Sequence, residues 1–161
     1  MKNKFMAVLE LCCVAFAATA VADAVPTQPS AVATAAQNVT LLNGKVNTGA
    51  QVYFYLQSAS WCGPCRMAMP GIMETYREIH ADGRAEVILV NYDQSPAEGQ
   101  AYIKSYVTAM PAVHYADPNV AALPGYKNAV GVPYVIVVDA QGNVLDKGAP
   151  ERIQQWKKYV K

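Results

Sequence analysis

Apolar and polar positions fall into blocks whose period changes several times along this chain. Val52-Tyr53-Phe54-Tyr55-Leu56 is an aromatic and aliphatic run at the centre of a strand predicted over Gln51–Gln57. From about Cys65 to His80 the period becomes helical, with Met69, Ile72, Met73, Tyr76 and Ile79 on one face. Pro70 falls inside that helix and is expected to kink it. Asp82-Gly83 ends the helix, and Glu86–Tyr92 reads as a second buried strand around Val87-Ile88-Leu89-Val90. Ser95-Pro96-Ala97-Glu98 has the form of a capping box and predicts a helix to about Tyr106. Ala112–Tyr115 is expected as a short edge strand, and Asp117-Pro118 as the cap of a short helix broken at Leu123-Pro124-Gly125.

Pro133 then precedes a third strand, Tyr134–Val138, and Asp139-Ala140-Gln141-Gly142-Asn143 is a tight turn into a fourth, Val144–Lys147. A final amphipathic helix is predicted from Pro150 to the C-terminus, with Ile153, Trp156 and Tyr159 or Val160 facing inward. The order is β, α, β, α, β-hairpin, α, which implies a parallel portion with crossover helices and a late antiparallel edge. Asn38–Val46 fits an N-terminal strand or a hairpin around Asn43-Gly44. Residues 25–37 have no hydrophobic period and read as a flexible leader.

Composition narrows the class. The chain has 161 residues, 53% hydrophobic and 16% charged, with a formal net charge of +1, which suits one globular domain over residues 38–161. It lacks the basic stripe of a nucleic-acid binder, so no nucleic acid is expected as a partner. Residues 1–24 have the form of a secretory signal: Lys2 and Lys4, an apolar stretch from Ala7 to Ala20 interrupted by Glu10, then Ala20-Val21-Ala22 and Ala22-Asp23-Ala24 as small-residue cleavage sites. An uncleaved membrane anchor is the rival reading, but the apolar run is shorter than the ~20 residues of a span. Glu10-Leu11 ahead of Cys12 argues against a lipoprotein signal. Cleavage after Ala24 removes Cys12 and Cys13 and leaves Cys62 and Cys65 as the only cysteines of a protein outside the cytosol.

Those two cysteines carry the candidate chemistry. They are separated by Gly63-Pro64 and sit where a strand becomes a helix. A helix start presents unpaired N–H groups and the positive end of the macrodipole, so it favours a thiolate on the first cysteine. Pro64 suits the first turn, where its missing N–H would have had no partner. A free thiol of pKa ~8.5 is only ~3% ionised at neutral pH, whereas one near 7 is about half ionised. Cys62 is therefore the expected nucleophile and Cys65 the resolving thiol. As a structural staple the pair would gain little, because it closes a tiny loop. A zinc site would need two more ligands, and only His80 and His114 offer themselves.

Trp61-Cys62-Gly63-Pro64-Cys65, with Pro70 and the later Gly131-Val132-Pro133, resembles the thioredoxin superfamily. The resemblance implies an α/β thioredoxin-like fold, a central mixed β-sheet flanked by helices. It also implies a cis Val132–Pro133 bond in a loop packed beside the dithiol. Ser58-Ala59-Ser60-Trp61-Cys62 and Met110-Pro111-Ala112-Val113-His114-Tyr115 are similar to tryparedoxins and nucleoredoxins. The signal-like residues 1–24 and the Asp139–Asn143 turn suit the secreted bacterial branch, similar to the periplasmic reductases of cytochrome c maturation. Three positions depart from the family pattern: Leu56 stands where many thioredoxins bury an aspartate, Ala68 where the periplasmic reductases often carry a glutamate, and Tyr134 where a threonine is common.

The resemblance implies a thiol–disulfide oxidoreductase, secreted or periplasmic, with Cys62 and Cys65 catalytic and Trp61, Gly63, Pro64, Val132 and Pro133 meeting the substrate. Gly63-Pro64 matches thioredoxin's own intervening pair, whose potential near −270 mV favours reduction of partner-protein disulfides over oxidation. A disulfide oxidase or isomerase is the alternative within the class; a non-catalytic module that captures a metal or a partner is the alternative outside it. No bound cofactor or metal is expected, since the electrons reside in the cysteines. An upstream thiol donor is required, with a membrane protein as candidate, and a monomer is expected. Trp61 reads equally as shield or as core. Arg66 and His80 read as solvated side chains, His114 as a strand residue, and Tyr53, Tyr55, Tyr92 and Tyr115 as core and edge.

Overall fold

A computed structural model describes residues 30–106 and 108–161. Its elements are α1 (Ala31–Ala36), β1 (Leu41–Asn43), β2 (Val52–Ser58), α2 (Gly63–Asp82), β3 (Ala85–Asn91), α3 (Pro96–Lys104), β4 (Ala112–His114), β5 (Tyr134–Asp139), β6 (Val144–Gly148) and α4 (Glu151–Gln154), with 3₁₀ turns at Val120–Ala122 and Trp156–Lys158. One six-stranded sheet runs in the order β1-β4-β3-β2-β5-β6. β2, β3 and β4 are parallel, while β1, β5 and β6 run antiparallel to their neighbours. This is the expected mixed sheet with crossover helices and a late hairpin.

Both faces of the central strands are covered, which is why β2 and β3 read as unbroken apolar runs. Val52, Phe54, Leu56, Val87 and Leu89 face a core shared with Met69, Ile72, Tyr76 and Ile79 of α2 and with Trp156. Tyr53, Tyr55, Ile88 and Val90 face the other way, onto Val32, Ala33 and Ala36 of α1 and onto Val120, Leu123 and Tyr126. Burying a large apolar side chain contributes about 1.5–3 kcal/mol, so these two layers are the main source of stability.

Three expectations need correction. Of the leader expected over residues 25–37, residues 25–29 lie outside the described residues, but 31–36 are helix. Ser30 caps α1 by accepting the Ala33 N–H at 3.0 Å, and its hydroxyl donates to the Ala140 carbonyl at 3.1 Å. Alanine has high helix propensity but little hydropathy contrast, so such a helix shows almost no period. β4 is not an edge: β1 pairs with it on the side away from β3, and β1 and β6 take the edges. Of the two N-terminal alternatives, a strand or a hairpin around Asn43-Gly44, the strand forms, as β1. The last helix is a four-residue turn followed by a 3₁₀ turn, although Ile153 and Trp156 are buried as expected. Pro70 lies within α2, which continues through it as one element.

Two buried polar residues give this scaffold testable properties. Glu86, 2% exposed, accepts the Asn47 N–H at 3.0 Å and the Val87 N–H at 2.8 Å, and burial raises its carboxyl above the ordinary value of 4.5. A raised folded-state value contributes stability that is full at acid pH and is lost as pH rises through it. Thermal midpoints of the parent relative to Glu86→Gln are therefore expected to fall as pH climbs above 4.5. Gly99 of α3 faces Asn91, and a Cβ there would collide with Asn91 Oδ1. Asn91 is itself held by bonds to Asp93, so it has little room to yield. Gly99→Ala is expected to cost about 1–3 kcal/mol in denaturant unfolding.

Candidate active site

β2 delivers the chain, through Ala59-Ser60-Trp61, to the start of α2. Cys62 is the N-cap of that helix, and Pro64 lies in its first turn. A disulfide joins Cys62 to Cys65, with Cα atoms 5.2 Å apart. The Cys65 N–H donates to Cys62 Sγ at 3.2 Å, so one of the helix's unpaired amides points at this sulfur. In the dithiol form the same amide and the helix dipole favour charge on Cys62. Cys62 is 5% exposed and Cys65 1%, the second lying under the first turn of α2. An anion on Cys65 would therefore lose more hydration than one on Cys62.

Around the pair lie Ala59, Tyr92 and Val132. The Val132–Pro133 bond is cis, as expected. The Val132 carbonyl oxygen is 3.5 Å from Cys62 Sγ, placed to accept from a thiol there. Gly63 is partly exposed and Pro64 exposed, so both border the sulfurs from the solvent side, and no atom occupies the space a Gly63 side chain would fill. Trp61 is 62% exposed, which decides between the two readings of it: it is not core. Its indole Nε1 donates to the Tyr92 carbonyl at 3.1 Å and so holds the ring near the dithiol. Arg66 and His80 are exposed. Among the described residues, no histidine or carboxylate joins the cysteines in a cluster that could hold a metal. Leu56 and Ala68, at the places of the family's usual acids, belong to or pack on the apolar core of the α2 face.

Several residues here escaped the sequence reading. Tyr92 is not merely core: it packs against the cysteines, stacks on Tyr115 with ring centroids 4.8 Å apart, and its hydroxyl meets Gln57 Oε1 at 2.8 Å, Tyr126 Oη at 2.7 Å and Asn128 Oδ1 at 3.0 Å. Burial pushes the hydroxyls of both Tyr92 and Tyr126 above the ordinary tyrosine value of 10.0, so both act as neutral hydrogen-bonding groups. Gln57 also donates to the Lys127 carbonyl and accepts the Ala129 N–H, which ties the segment leading to Pro133 onto β2. Asp93, 1% exposed, accepts the Ser60 N–H and Ser60 hydroxyl at 2.8 Å each. His114 is more than a strand residue. The Ala116 N–H donates to its Nδ1, so Nε2 carries the proton and donates to the Asp93 carbonyl at 3.0 Å. A signal was present: Gln57-Ser58 and Asn91-Tyr92-Asp93 are polar interruptions at the carboxyl ends of apolar parallel strands, where sites on such sheets form.

The thioredoxin-like family profile matches residues 49–144. A nucleoredoxin from Mus musculus is 37% identical over 100 residues, covering 60% of this chain and 21% of the relative. A tryparedoxin from Trypanosoma brucei brucei is 34% identical over 70 residues, 42% of this chain and 49% of the relative. A secreted thiol-disulfide isomerase from Corynebacterium glutamicum has a similar structure, with a TM-score of 0.52 at 25% identity over 61% of this chain and 60% of that one. The chain thus spans about a fifth of the length of the nucleoredoxin it matches.

The burial contrast makes a prediction that needs no substrate. In the reduced protein Cys62 should alkylate with iodoacetamide at neutral pH at least tenfold faster than Cys65, read by peptide mass. Faster labelling of Cys65 would reverse the assignment of roles.

Proposed function

This chain belongs to the thioredoxin-like family, and on that footing we propose that it is a thiol–disulfide oxidoreductase working chiefly as a reductase of protein disulfides. The observation that carries the reading is Cys62 at the N-cap of α2, its sulfur on the Cys65 amide and beside the Val132 carbonyl. In the reduced enzyme the Cys62 thiolate attacks one sulfur of the substrate disulfide, forming a mixed disulfide and releasing the other sulfur as a thiolate that takes up a proton. Cys65, deprotonated, attacks Cys62 Sγ and releases the second substrate thiol. Two electrons have then passed from the protein dithiol to the substrate, and the enzyme carries the Cys62–Cys65 disulfide. An upstream dithiol donor must return those electrons.

Trp61, Gly63, Pro64, Val132 and Pro133 form the rim that a substrate segment meets. The Val132 main chain is suited to pair with an extended segment as an added strand, which recognises backbone rather than particular side chains. This fits an enzyme that accepts varied protein partners.

We place the protein outside the cytosol, with residues 1–24 removed as a signal peptide. The N-terminal pattern supports this, as does the likeness to a protein described as secreted. An intact mass from a secreting host should begin near Val25; retention of Met1–Ala24 would overturn the assignment. The activity is tested by insulin reduction with dithiothreitol as donor. Cys62→Ser should abolish turnover above background, and Cys65→Ser should accumulate a mixed disulfide with the substrate. Turnover that survives Cys62→Ser would refute the reading.

A further inference from the structure

The family's usual buried acid is missing from β2, where Leu56 fills its place, yet a buried carboxylate reaches the same loop from another strand. Asp93 follows β3 and is 1% exposed. Its Oδ1 accepts the N–H and the hydroxyl of Ser60, two residues before Cys62, and its Oδ2 accepts from Asn91 Nδ2 at 2.8 Å. The Asp93 N–H donates back to Asn91 Oδ1 at 3.0 Å, and His114 of β4 holds its carbonyl. Trp61 hangs on the neighbouring Tyr92 carbonyl. Three donors of Ser60 and Trp61 therefore land on residues 92 and 93.

We propose that Asp93 is a positioning residue for the dithiol: it fastens Ser60 ahead of α2, and its carboxylate opposes the pull of the helix start on the Cys62 thiolate. The inference rests on the oxidoreductase reading for its significance, though its test does not need turnover. A buried acceptor with three donors is costly to misplace, since each hydrogen bond to a charged group contributes more than one between neutral groups. That explains why a carboxylate stands here and fixes where the loop lies. The charge has a second effect. A fixed anion near a thiol disfavours its ionisation, whereas the amide and dipole of α2 favour it. The two act on Cys62 in opposite senses and set how much thiolate exists at neutral pH. The other ionisable groups nearby are Cys65 and the exposed Arg66 on α2 and Tyr92 beside the sulfurs, with His114 of β4 and Tyr102 of α3 behind Asp93.

Asp93→Asn and Ser60→Ala separate charge from scaffolding. The amide introduced by Asp93→Asn can still accept both Ser60 bonds and carries no charge, though its Nδ2 replaces the oxygen that accepts from Asn91 and that one bond is lost. Ser60→Ala removes one donor and leaves the carboxylate less neutralised. The pH profile of iodoacetamide alkylation at Cys62, followed by peptide mass in the full reduced chain, reads the result. At acid pH, Asp93→Asn is expected to speed Cys62 labelling about threefold, and Ser60→Ala to slow it. A loop that only scaffolds would shift both variants in the same direction, and that outcome, or no shift in either, overturns the proposal. Should Asp93→Asn fail to fold, Ser60→Ala decides alone: a profile identical to the parent's overturns it. Insulin turnover of the parent, measured alongside, tests the oxidoreductase reading separately.

Discussion

Seven consecutive pairings of β2 with β3, from Val52↔Ala85 to Ser58↔Asn91, set the level at which everything chemical in this protein stands. Side chains alternate across each strand, so a one-residue slip would turn Phe54 and Leu56 from the α2 face to the α1 face and drive Tyr53 and Tyr55 into the α2 core. The register is thus pinned by two cores at once. Its far end brings Ser58 beside Asn91, so that the chain leaving β2 and the chain leaving β3 emerge side by side. Ser60 can meet Asp93, and Trp61 can meet the Tyr92 carbonyl, only because of that alignment.

The dithiol inherits its asymmetry from the same geometry. One sulfur caps α2 at the rim of the sheet, next to the Val132 carbonyl, while the other lies a turn deeper. Nothing about cysteine itself distinguishes the two. Position along one helical turn does, through access to water and through the amide that faces Cys62. The segment that brings Val132 there is held from below by Gln57 and Tyr92, so this side of the rim depends on polar bonds rather than on apolar packing.

Much of this was legible in the sequence because both central strands are buried on both faces and the helix after Cys62 has a strong period. The Cys62-Gly63-Pro64-Cys65 spacing at a strand–helix junction needs only local geometry to be understood. What stayed hidden needed partners far along the chain. Asp93 and Ser60 are 33 positions apart, and Tyr92 and Asn128 36 apart; no local pattern joins them. α1 escaped notice because alanines pack by being small, not by being apolar. β4 was misjudged as an edge because nothing in Ala112–His114 reveals that Leu41–Asn43 returns to cover it.

The fastening of Ser30 to the Ala140 carbonyl has a directional consequence. Ala140 follows β5, and Asp139 pairs with Val52 at the beginning of β2, whereas Cys62 follows its end. Ser30 therefore stands at the pole of the folded body opposite the sulfurs. A tether or partner joined through that pole would hold the protein by its back, with the reactive face turned outward and unobstructed.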